Sequence, residues 1–435
     1  MRISPVTRKL LALSMLGGIG PATLRKMASL SGITEESPNV LSTRFPALAK
    51  ALATTDAWST ALEQAEKQIE AAEKHEARIL SSLDAEYPSL LAATKDDPFL
   101  IFVRGALAPN PTKSVAIIGT RQPTQHGEVI ARRVTEFFVE QQWSVVSGLA
   151  LGCDALAHRA ALEAGGHTVA VLAHGLQTIA PSQHRKLADE ILESGGALIS
   201  EYRFGQGVLP QQFVKRDRTQ AGLAQGVVMI QSDVKGGSLH ASRASLDYGR
   251  WLAVPLPTPT DRRNEEPKVQ ANLLLAEGGE VERAGLLKCH QSRLNELIIL
   301  KTKDDYPQMI AASRVETEAS SLNEAKEQRA EASDCLQSCD LIDDSDTNMS
   351  LFEASDLTTP IQQAEDSQTS SLSEGKTADP SDLVASCPSP SESSEIQDHK
   401  PEEEAAKLDH VEAGRGQVIS DTDDPEPLTL QRQLL

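Results

Sequence analysis

Short apolar runs alternate with helical stretches through the middle of the chain. The runs cover residues 115–118, 145–146, 169–172, 197–199, 227–230 and 252–254. Unbroken runs of β-branched residues and leucine are typical of strands that are buried on both faces of a parallel sheet. The alternation predicts a doubly wound α/β domain, whose ligands bind beyond the carboxyl ends of the strands. Polar residues in the turns after these runs are therefore the candidates for function.

Two glycine-marked turns next to predicted strands can offer backbone N–H groups to an anion at a helix N-terminus. They are Gly119-Thr120-Arg121 and Gly236-Gly237-Ser238. Four basic residues can add charge-assisted contacts to a phosphate, namely Arg121, Lys215, Arg216 and Arg218. The alternative for each arginine is a solvent-exposed or salt-bridged side chain, and for Arg218, beside Asp217, both interpretations stand.

The first 95 residues show a helical pattern. Leucines at 10, 11 and 13 precede Gly17-Gly18-Ile19-Gly20-Pro21, and apolar residues recur at helical spacing afterwards. This pattern predicts a helix-hairpin-helix of the SAM-like type, which brings N–H groups close to a phosphate, or a plain glycine turn between two packed helices. Residues 49–80 predict one long amphipathic helix. We therefore expect a small helical domain at 1–95 and the α/β domain at 96–290.

Charge separates the last part of the chain from the rest. The 435 residues carry a net charge of −20, yet residues 1–300 hold 32 Lys and Arg against 31 Asp and Glu. The acidic charge thus belongs to the C-terminal part, which is rich in Ser, Glu and Asp and poor in aromatics. Such a composition cannot offset the entropy of ordering, so a disordered acidic tail is expected at 291–435. The near-neutral remainder can still carry a basic patch.

Several classes of protein and site are disfavoured. The five cysteines are odd in number, and Cys335 and Cys339 have no second ligand pair, so free thiols and no metal are expected. No apolar run approaches the ~20 residues of a membrane span, and no convincing signal peptide begins the chain, which favours the cytoplasm. Neither G-x-G-x-x-G with a following acidic residue nor G-x-x-x-x-G-K-[ST] occurs, so no cofactor is expected.

Asp154 and His158 stand four residues apart on one face of a predicted helix. An acid–base pair is conceivable at this spacing. A hydrogen bond that fixes the local loop is favoured instead, because no nucleophile or third catalytic group accompanies the pair.

The order of the motifs resembles the DNA-processing protein A (DprA/Smf) family. The motifs are YPSLL, DPF, VRG, GTR, SGLALGCD, AH, GL, ISE, FVKRDR, GSL, GR and VP, and the resemblance covers residues 1–287. It implies an extended Rossmann-like domain without catalytic activity that binds single-stranded DNA and forms a homodimer. It further implies a protein that protects incoming DNA and helps to load the RecA recombinase in natural transformation.

The resemblance places DNA- and phosphate-binding residues in the turns of the sheet. With Lys215 from the charge pattern, the expected set is Gly119, Thr120, Arg121, Ser147, Gly148, Lys215, Arg216, Arg218, Gly237 and Ser238. Three departures bear on nucleic-acid affinity and architecture. The family's R-N-R is here Arg216-Asp217-Arg218, and its S-G-S-L-x-T loses two hydroxyls, at Gly236 and Ala241. An acidic segment stands where a winged-helix domain is common.

Aromatic residues are scarce near the basic run. Tyr202, Phe204 and Phe213 are the ones nearby, and each can belong to the core, an interpretation favoured for Phe213. DNA affinity should then depend mainly on phosphates and fall steeply with salt. The alternative function is a small-nucleotide-binding sensor or a phosphoribohydrolase-like enzyme on the same fold.

The acidic tail contains an apolar island, Asn348-Met349-Ser350-Leu351-Phe352. It resembles peptides that dock on the bacterial sliding clamp, although a chance cluster of five residues is the favoured interpretation. The tail as a whole, tethered to the α/β domain, can also compete with DNA for the basic groove.

Overall fold

The computed structural model describes residues 3–30 and 32–313, which contain one nine-stranded sheet. Its order is β1-β2-β6-β5-β4-β3-β7-β8-β9. Along this order, every neighbouring pair of strands from β6 to β9 is parallel. The strand β2 is antiparallel to both of its neighbours, β1 and β6. The strands are β1 (Ala77–Ser81), β2 (Leu100–Gly105), β3 (Ser114–Ile118), β4 (Ser144–Ser147), β5 (Thr168–Leu172), β6 (Ala197–Ser200), β7 (Gly226–Met229), β8 (Trp251–Pro255) and β9 (Leu297–Leu300).

Helices cover both faces of this sheet. They are α1 (Pro5–Met15), α2 (Pro21–Ala28), α3 (Pro38–Arg44), α4 (Pro46–Ala51), α5 (Ala57–Lys74), α6 (Ser89–Ala92), α7 (Gln125–Glu140), α8 (Cys153–Glu163), α9 (Arg185–Glu193), α10 (Pro210–Gly222), α11 (Leu239–Asp247), α12 (Pro259–Arg263), α13 (Gln270–Glu277) and α14 (Glu280–Leu287). No helix in the described ranges is both long and apolar enough to cross a lipid bilayer.

Successive residues of β3 point to opposite faces, as the two-residue period of a strand requires. Val115 and Ile117 pack with residues of α7 and α8, such as Phe138. Ala116 and Ile118 pack with residues of α10, α11, α13 and α14. The sheet is therefore buried on both sides, which explains why its central strands are apolar without interruption.

The helices α1 to α5 share their core with one edge of the sheet. Leu10, Leu13 and Ala65 lie in one apolar cluster with Phe102 of β2 and Leu198 of β6. Local sequence also favours these elements: Ser4 accepts a hydrogen bond from Thr7 N at the start of α1, directly before a proline. The predicted helix, glycine turn and second helix are present as α1 and α2.

The sequence prediction of the fold is confirmed in its class and in its six central strands, which are β3 to β8. The single helix predicted at 49–80 is wrong. The structure has α4, a turn, α5 and then β1, whose Ile79 pairs with Phe102. Glu76, with a φ of 53°, turns the chain out of the helix. Helical periodicity missed this change, because pairing with β2 rather than local propensity determines the conformation of 77–81.

The boundary expected at residue 291 also needs correction. β9 pairs in parallel with β8, and Tyr306 and Met309 are buried against the sheet. The apolar stretch Leu297–Leu300 extends the sheet by one strand, so 291–313 continue the folded part. The predictions for Cys335, Cys339 and the island at 348–352 lie outside the described residues.

Candidate nucleic-acid interface

The sheet reverses its winding between β3 and β7. The helix after β3 is α7 on one face, and the helix after β7 is α11 on the other. The loops at the carboxyl ends of these two strands therefore separate, and ligands of open α/β sheets bind in such crevices. A cavity of about 400 Å³ opens there. Of the ten predicted site residues, those that line the cavity are Gly119, Thr120, Arg121, Arg216, Gly237 and Ser238.

Gln231, two residues after β7, joins the two loops. Its backbone oxygen accepts from Thr120 N at 2.8 Å, and its side-chain oxygen accepts from Thr124 N at 2.9 Å. Thr120 O in turn accepts from Cys153 N at 3.1 Å. A Cβ on Gly119 would lie 2.6 Å from Cys153 Sγ, so only glycine lets the loop lie this close to α8. The loop after β3 is thus held on both sides.

Asn272 of α13 holds the loop after β7. Its amide oxygen accepts from Ser232 N at 2.9 Å, and its amide nitrogen donates to Ile230 O at 2.8 Å. Ser232 Oγ then accepts from Ser238 Oγ at 2.8 Å, just before α11 begins. Gly237 and Ser238 therefore present the N-terminus of α11 to the cavity, with the partial positive charge that favours an anion.

Arg121 provides an accessible positive charge at the cavity. Its side chain is exposed and, within the described chain, forms no ion pair. The guanidinium carbon lies 5.7 Å from the centroid of the Phe213 ring, and that of Arg216 lies 5.8 Å from the same centroid. Phe213 thus lines the cavity and orients both arginines, which contradicts its assignment to the core. Tyr202 and Phe204 are buried, which agrees with the core alternative that the sequence left open for them.

Arg216 is 5% exposed and lies between two carboxylates. Its Nε is 3.1 Å from Asp217 Oδ1, and its Nη1 is 3.6 Å from Asp154 Oδ2. With its oxygen turned toward the guanidinium, the Gln220 amide accepts from Nη1 at 2.6 Å. The charge of Arg216 is therefore already neutralised by the protein, in contrast to that of Arg121.

Burial raises the pKa of both carboxylates. Burial, with a smaller contribution from the charge of Asp154, raises the pKa of Asp217 to about 7 against the opposing effects of Arg216 and Arg121. Burial also raises the pKa of Asp154, although Arg216 and the N–H groups of Ala150 and Gly148 oppose this. The positive charge of Arg216 thus has to offset the charges of two carboxylates that are poorly solvated.

Asp154 fixes the loop after β4, as the favoured alternative expected. Its Oδ2 accepts from Gly148 N at 3.2 Å and from Ala150 N at 3.4 Å. His158 contacts Thr168 Oγ1 through Nδ1 at 2.8 Å, and burial lowers the pKa of this imidazole to about 3. In the described chain no hydrogen bond or ion pair joins His158 to Asp154, so the two residues do not form an acid–base pair in this structure.

Ser147 and Gly148 lie below the cavity, so their expected contact with phosphate needs correction. Ser147 is fully buried, and its Oγ donates to Ile117 O at 2.7 Å. A Cβ on Gly148 would overlap Arg216 Nη1. These two residues therefore shape the loop and make room for the arginine, and they do not face a ligand.

Arg218 and Lys215 lie outside the cavity. Arg218 Nη1 is 2.6 Å from Asp96 Oδ2, and its Nη2 is 3.9 Å from Glu201 Oε2. Lys215 is exposed on α10. Since α10 places consecutive residues about 100° apart, Arg216 and Arg218 point to different neighbours. For Arg218 the salt-bridged alternative describes the structure.

Other residues of the site were not predicted from the sequence. Gln231 and Ser232 closely follow a buried strand, a signal that could have marked them. Gln220 and Asn272 sit inside helices, and Lys268 reaches the cavity from a distant turn, so tertiary structure alone brings them there. Among the described residues, no cluster of three metal-ligating side chains occurs.

Known proteins resemble this chain over the segment that builds the cavity. Residues 78–281 match the family described as DNA recombination-mediator protein A. Protein Smf of Escherichia coli is 39% identical over 172 residues, which are 39% of this chain and 46% of that protein. DNA processing protein DprA of Bacillus subtilis is 34% identical over 172 residues, or 39% of this chain and 58% of that protein. The chain thus spans about half the length of these two relatives.

Among solved structures, DprA from Streptococcus pneumoniae is 26% identical with a TM-score of 0.49, and the match covers 64% of this chain and 99% of that one. The segment matched by the family, 78–281, includes both loops at the switch point, α10 and Lys268. Over this segment, the chain is similar to proteins of the DprA/Smf family, whose family model is described as DNA recombination-mediator protein A.

Proposed function

We propose that this chain binds single-stranded DNA by holding its phosphates in the cavity between β3 and β7, and that it acts in DNA processing and recombination. The observation that carries the proposal is that Arg121, which forms no ion pair in the described chain, and the N-terminus of α11 line one cavity. A guanidinium can form two parallel hydrogen bonds to a phosphate, and a helix N-terminus adds N–H donors.

The position of the cavity favours a single strand over a duplex. A phosphate can reach the cavity only if its backbone enters a crevice between two loops. A flexible single strand can bend into this crevice, whereas a duplex resists bending over short distances. The names of the relatives, DNA processing protein and recombination mediator, agree with DNA as the ligand.

Phosphate contacts should dominate the affinity. Phe213 is the aromatic residue that lines the cavity, and both of its neighbouring arginines already lie over its ring. Little aromatic surface remains for base stacking, so binding should show weak base preference and a steep dependence on salt.

Similarity to this family extends the proposal to partners. We propose that the chain forms a homodimer and helps to load RecA onto single strands in the cytoplasm, as expected of a recombination mediator. Sedimentation of the purified chain tests the dimer. RecA assembly on strands coated with single-strand-binding protein tests the loading, and an unchanged assembly rate would contradict it.

The DNA proposal is tested by fluorescence anisotropy of labelled oligo-dT with the full chain over a salt series. We expect Arg121→Ala to weaken binding about tenfold at low salt and to reduce the slope of log Kd against log salt by about one. The matched control is Arg132→Ala, on α7, where the guanidinium pairs with Glu163 at 2.8 Å outside the cavity. This variant should bind like the parent protein.

A folded protein that fails to bind oligo-dT at every salt concentration would contradict the proposal. The same anisotropy measurement with a labelled mononucleotide would then test the small-nucleotide alternative. Equal losses of affinity in Arg121→Ala and Arg132→Ala would still support DNA binding by the chain. They would contradict the cavity as the place where the DNA binds.

A further inference from the structure

Carboxylates in the cavity offset the positive charge that an anion site needs. Arg216 is flanked by Asp217 at 3.1 Å and Asp154 at 3.6 Å, so the three side chains together carry a net charge of −1 when both carboxylates are ionised. All three line the cavity that the proposed function assigns to phosphate. With Arg121, Lys268 and Asp233 included, the charged side chains of the cavity sum to zero, so the lining gains a net positive charge for phosphate only if one carboxylate becomes neutral.

The surroundings decide which carboxylate takes up a proton. Asp154 accepts hydrogen bonds from Gly148 N and Ala150 N, and such bonds favour the ionised form. Within the described chain Asp217 accepts no backbone hydrogen bond, and its side chain is 14% exposed, facing the cavity. Asp217 can therefore exchange a proton with solvent, whereas Asp154 is held in its loop.

A bound phosphate changes this balance in one direction. Phosphate near Arg121 adds negative charge beside Asp217 and also competes for the arginine that offsets the carboxylate. Both effects favour the protonated form of Asp217. The groups that surround Arg216 and Asp217 from the other elements are Arg121 after β3, Asp154 and His158 on α8, His174 after β5, Asp233 after β7 and Lys268.

We propose that Asp217 couples phosphate binding to proton uptake, so that the site accepts DNA with Asp217 neutral and releases it as the pH rises through neutrality. The inference rests on the proposed function, and it identifies Asp217 as the residue that sets the pH range of that function. The free protein already favours this behaviour, because burial brings the pKa of Asp217 to about 7.

The test measures the Kd of the full chain for oligo-dT at pH 6, 7 and 8 and at one low salt concentration, in parent protein and Asp217→Asn. One proton taken up with a free pKa near 7 weakens parent binding about tenfold between pH 6 and 8. The asparagine keeps the shape of the side chain but is neutral throughout. It should bind like the parent protein at pH 6 and about tenfold more tightly at pH 8.

Asp233→Asn is the matched control, because Asp233 lines the same cavity without contacting Arg216. It should change the Kd by the same factor at pH 6 and pH 8. Histidine titration also strengthens DNA binding at low pH, and it affects the parent protein and both variants alike. The ratio of variant to parent Kd therefore isolates the contribution of Asp217.

The possible results distinguish the inference from the function on which it rests. A ratio for Asp217→Asn that stays constant between pH 6 and 8, with normal binding by the parent protein, overturns the coupling and leaves the proposed function standing. An absence of binding by both folded proteins at every pH overturns both. A ratio that changes about tenfold for Asp217→Asn and stays constant for Asp233→Asn supports the coupling.

Discussion

The two sides of the switch-point cavity treat positive charge in opposite ways. On the side of the loop after β3, Arg121 is exposed and, among the described residues, has no acidic partner. On the side of α10, Arg216 is buried between Asp154 and Asp217, and it donates a hydrogen bond to the Gln220 amide oxygen. The first side can offer its full charge to a ligand, whereas the second fixes the geometry of the cavity and limits its net charge. A row of arginines in a sequence therefore does not measure the charge available for binding.

The largest difference between the two arginines is expected in protein stability when each is removed in turn. Arg216→Ala leaves two buried carboxylates without their cation, which should lower the free energy of unfolding by about 3–5 kcal/mol. Arg121→Ala removes an exposed side chain and should change it by less than about 0.5 kcal/mol. Urea unfolding of both variants at pH 7 measures the difference. Similar losses in the two variants would show that the two arginines are not distinct in role.

Asp217 should have a smaller effect on the free energy of unfolding of the protein, and this effect should depend on pH. Burial raises its pKa in the folded protein to about 7, above the value of 3.8 in the unfolded chain. Between these values the folded protein retains a proton that the unfolded chain releases, so stability falls as the pH rises and the loss is complete above pH 7. Because asparagine does not titrate, the Asp217→Asn variant should not lose this stability as the pH rises.

We expect Asp217→Asn to be more stable than the parent protein by roughly 2–4 kcal/mol at pH 8 and nearly equal to it at pH 4. Urea unfolding at both pH values checks the sign. Greater stability of the parent protein at pH 8 would mean that the ion pair with Arg216 outweighs the burial of the carboxylate.

The smallest effect on DNA binding is expected from Arg218. Its guanidinium is paired with Asp96 and Glu201 outside the cavity. Arg218→Gln should therefore change the affinity for oligo-dT less than about twofold and leave the salt slope unchanged, since no phosphate contact is lost. Salt-dependent anisotropy beside Arg121→Ala measures this contrast. A slope reduced as much as in Arg121→Ala would extend the interface along α10.

Much of the fold could be predicted because its determinants are local. The six central strands are apolar on both faces, so their runs are visible in the sequence. β1 could not be predicted in this way, because 77–81 continue the helical periodicity of α5 and become a strand by pairing with β2. β9 was missed for a different reason: the acidic composition that begins soon after it led residues 291 onward to be assigned to the tail.

The site was predictable to the extent that it depends on turns next to strands. Gly119, Arg121 and Gly237 follow or precede buried strands and do line the cavity. Arg216 and Arg218 are two residues apart in the sequence, and nothing local shows that one faces the cavity and the other Asp96. Whether a charged side chain is free depends on its tertiary neighbours, which a single sequence does not reveal.

The last described residues determine where this protein can be shortened. Trp251 is fully buried in β8, stacks on Phe138 with ring centroids 6.2 Å apart and donates its indole N–H to Ser313 Oγ at 2.7 Å. A chain cut at residue 300 would lose that acceptor together with Tyr306 and Met309, whereas a cut after residue 313 would keep them. Trp251 is thus a built-in fluorescent reporter of a correctly chosen fragment boundary: its emission should shift to longer wavelength when the cut is made too early and water reaches the ring.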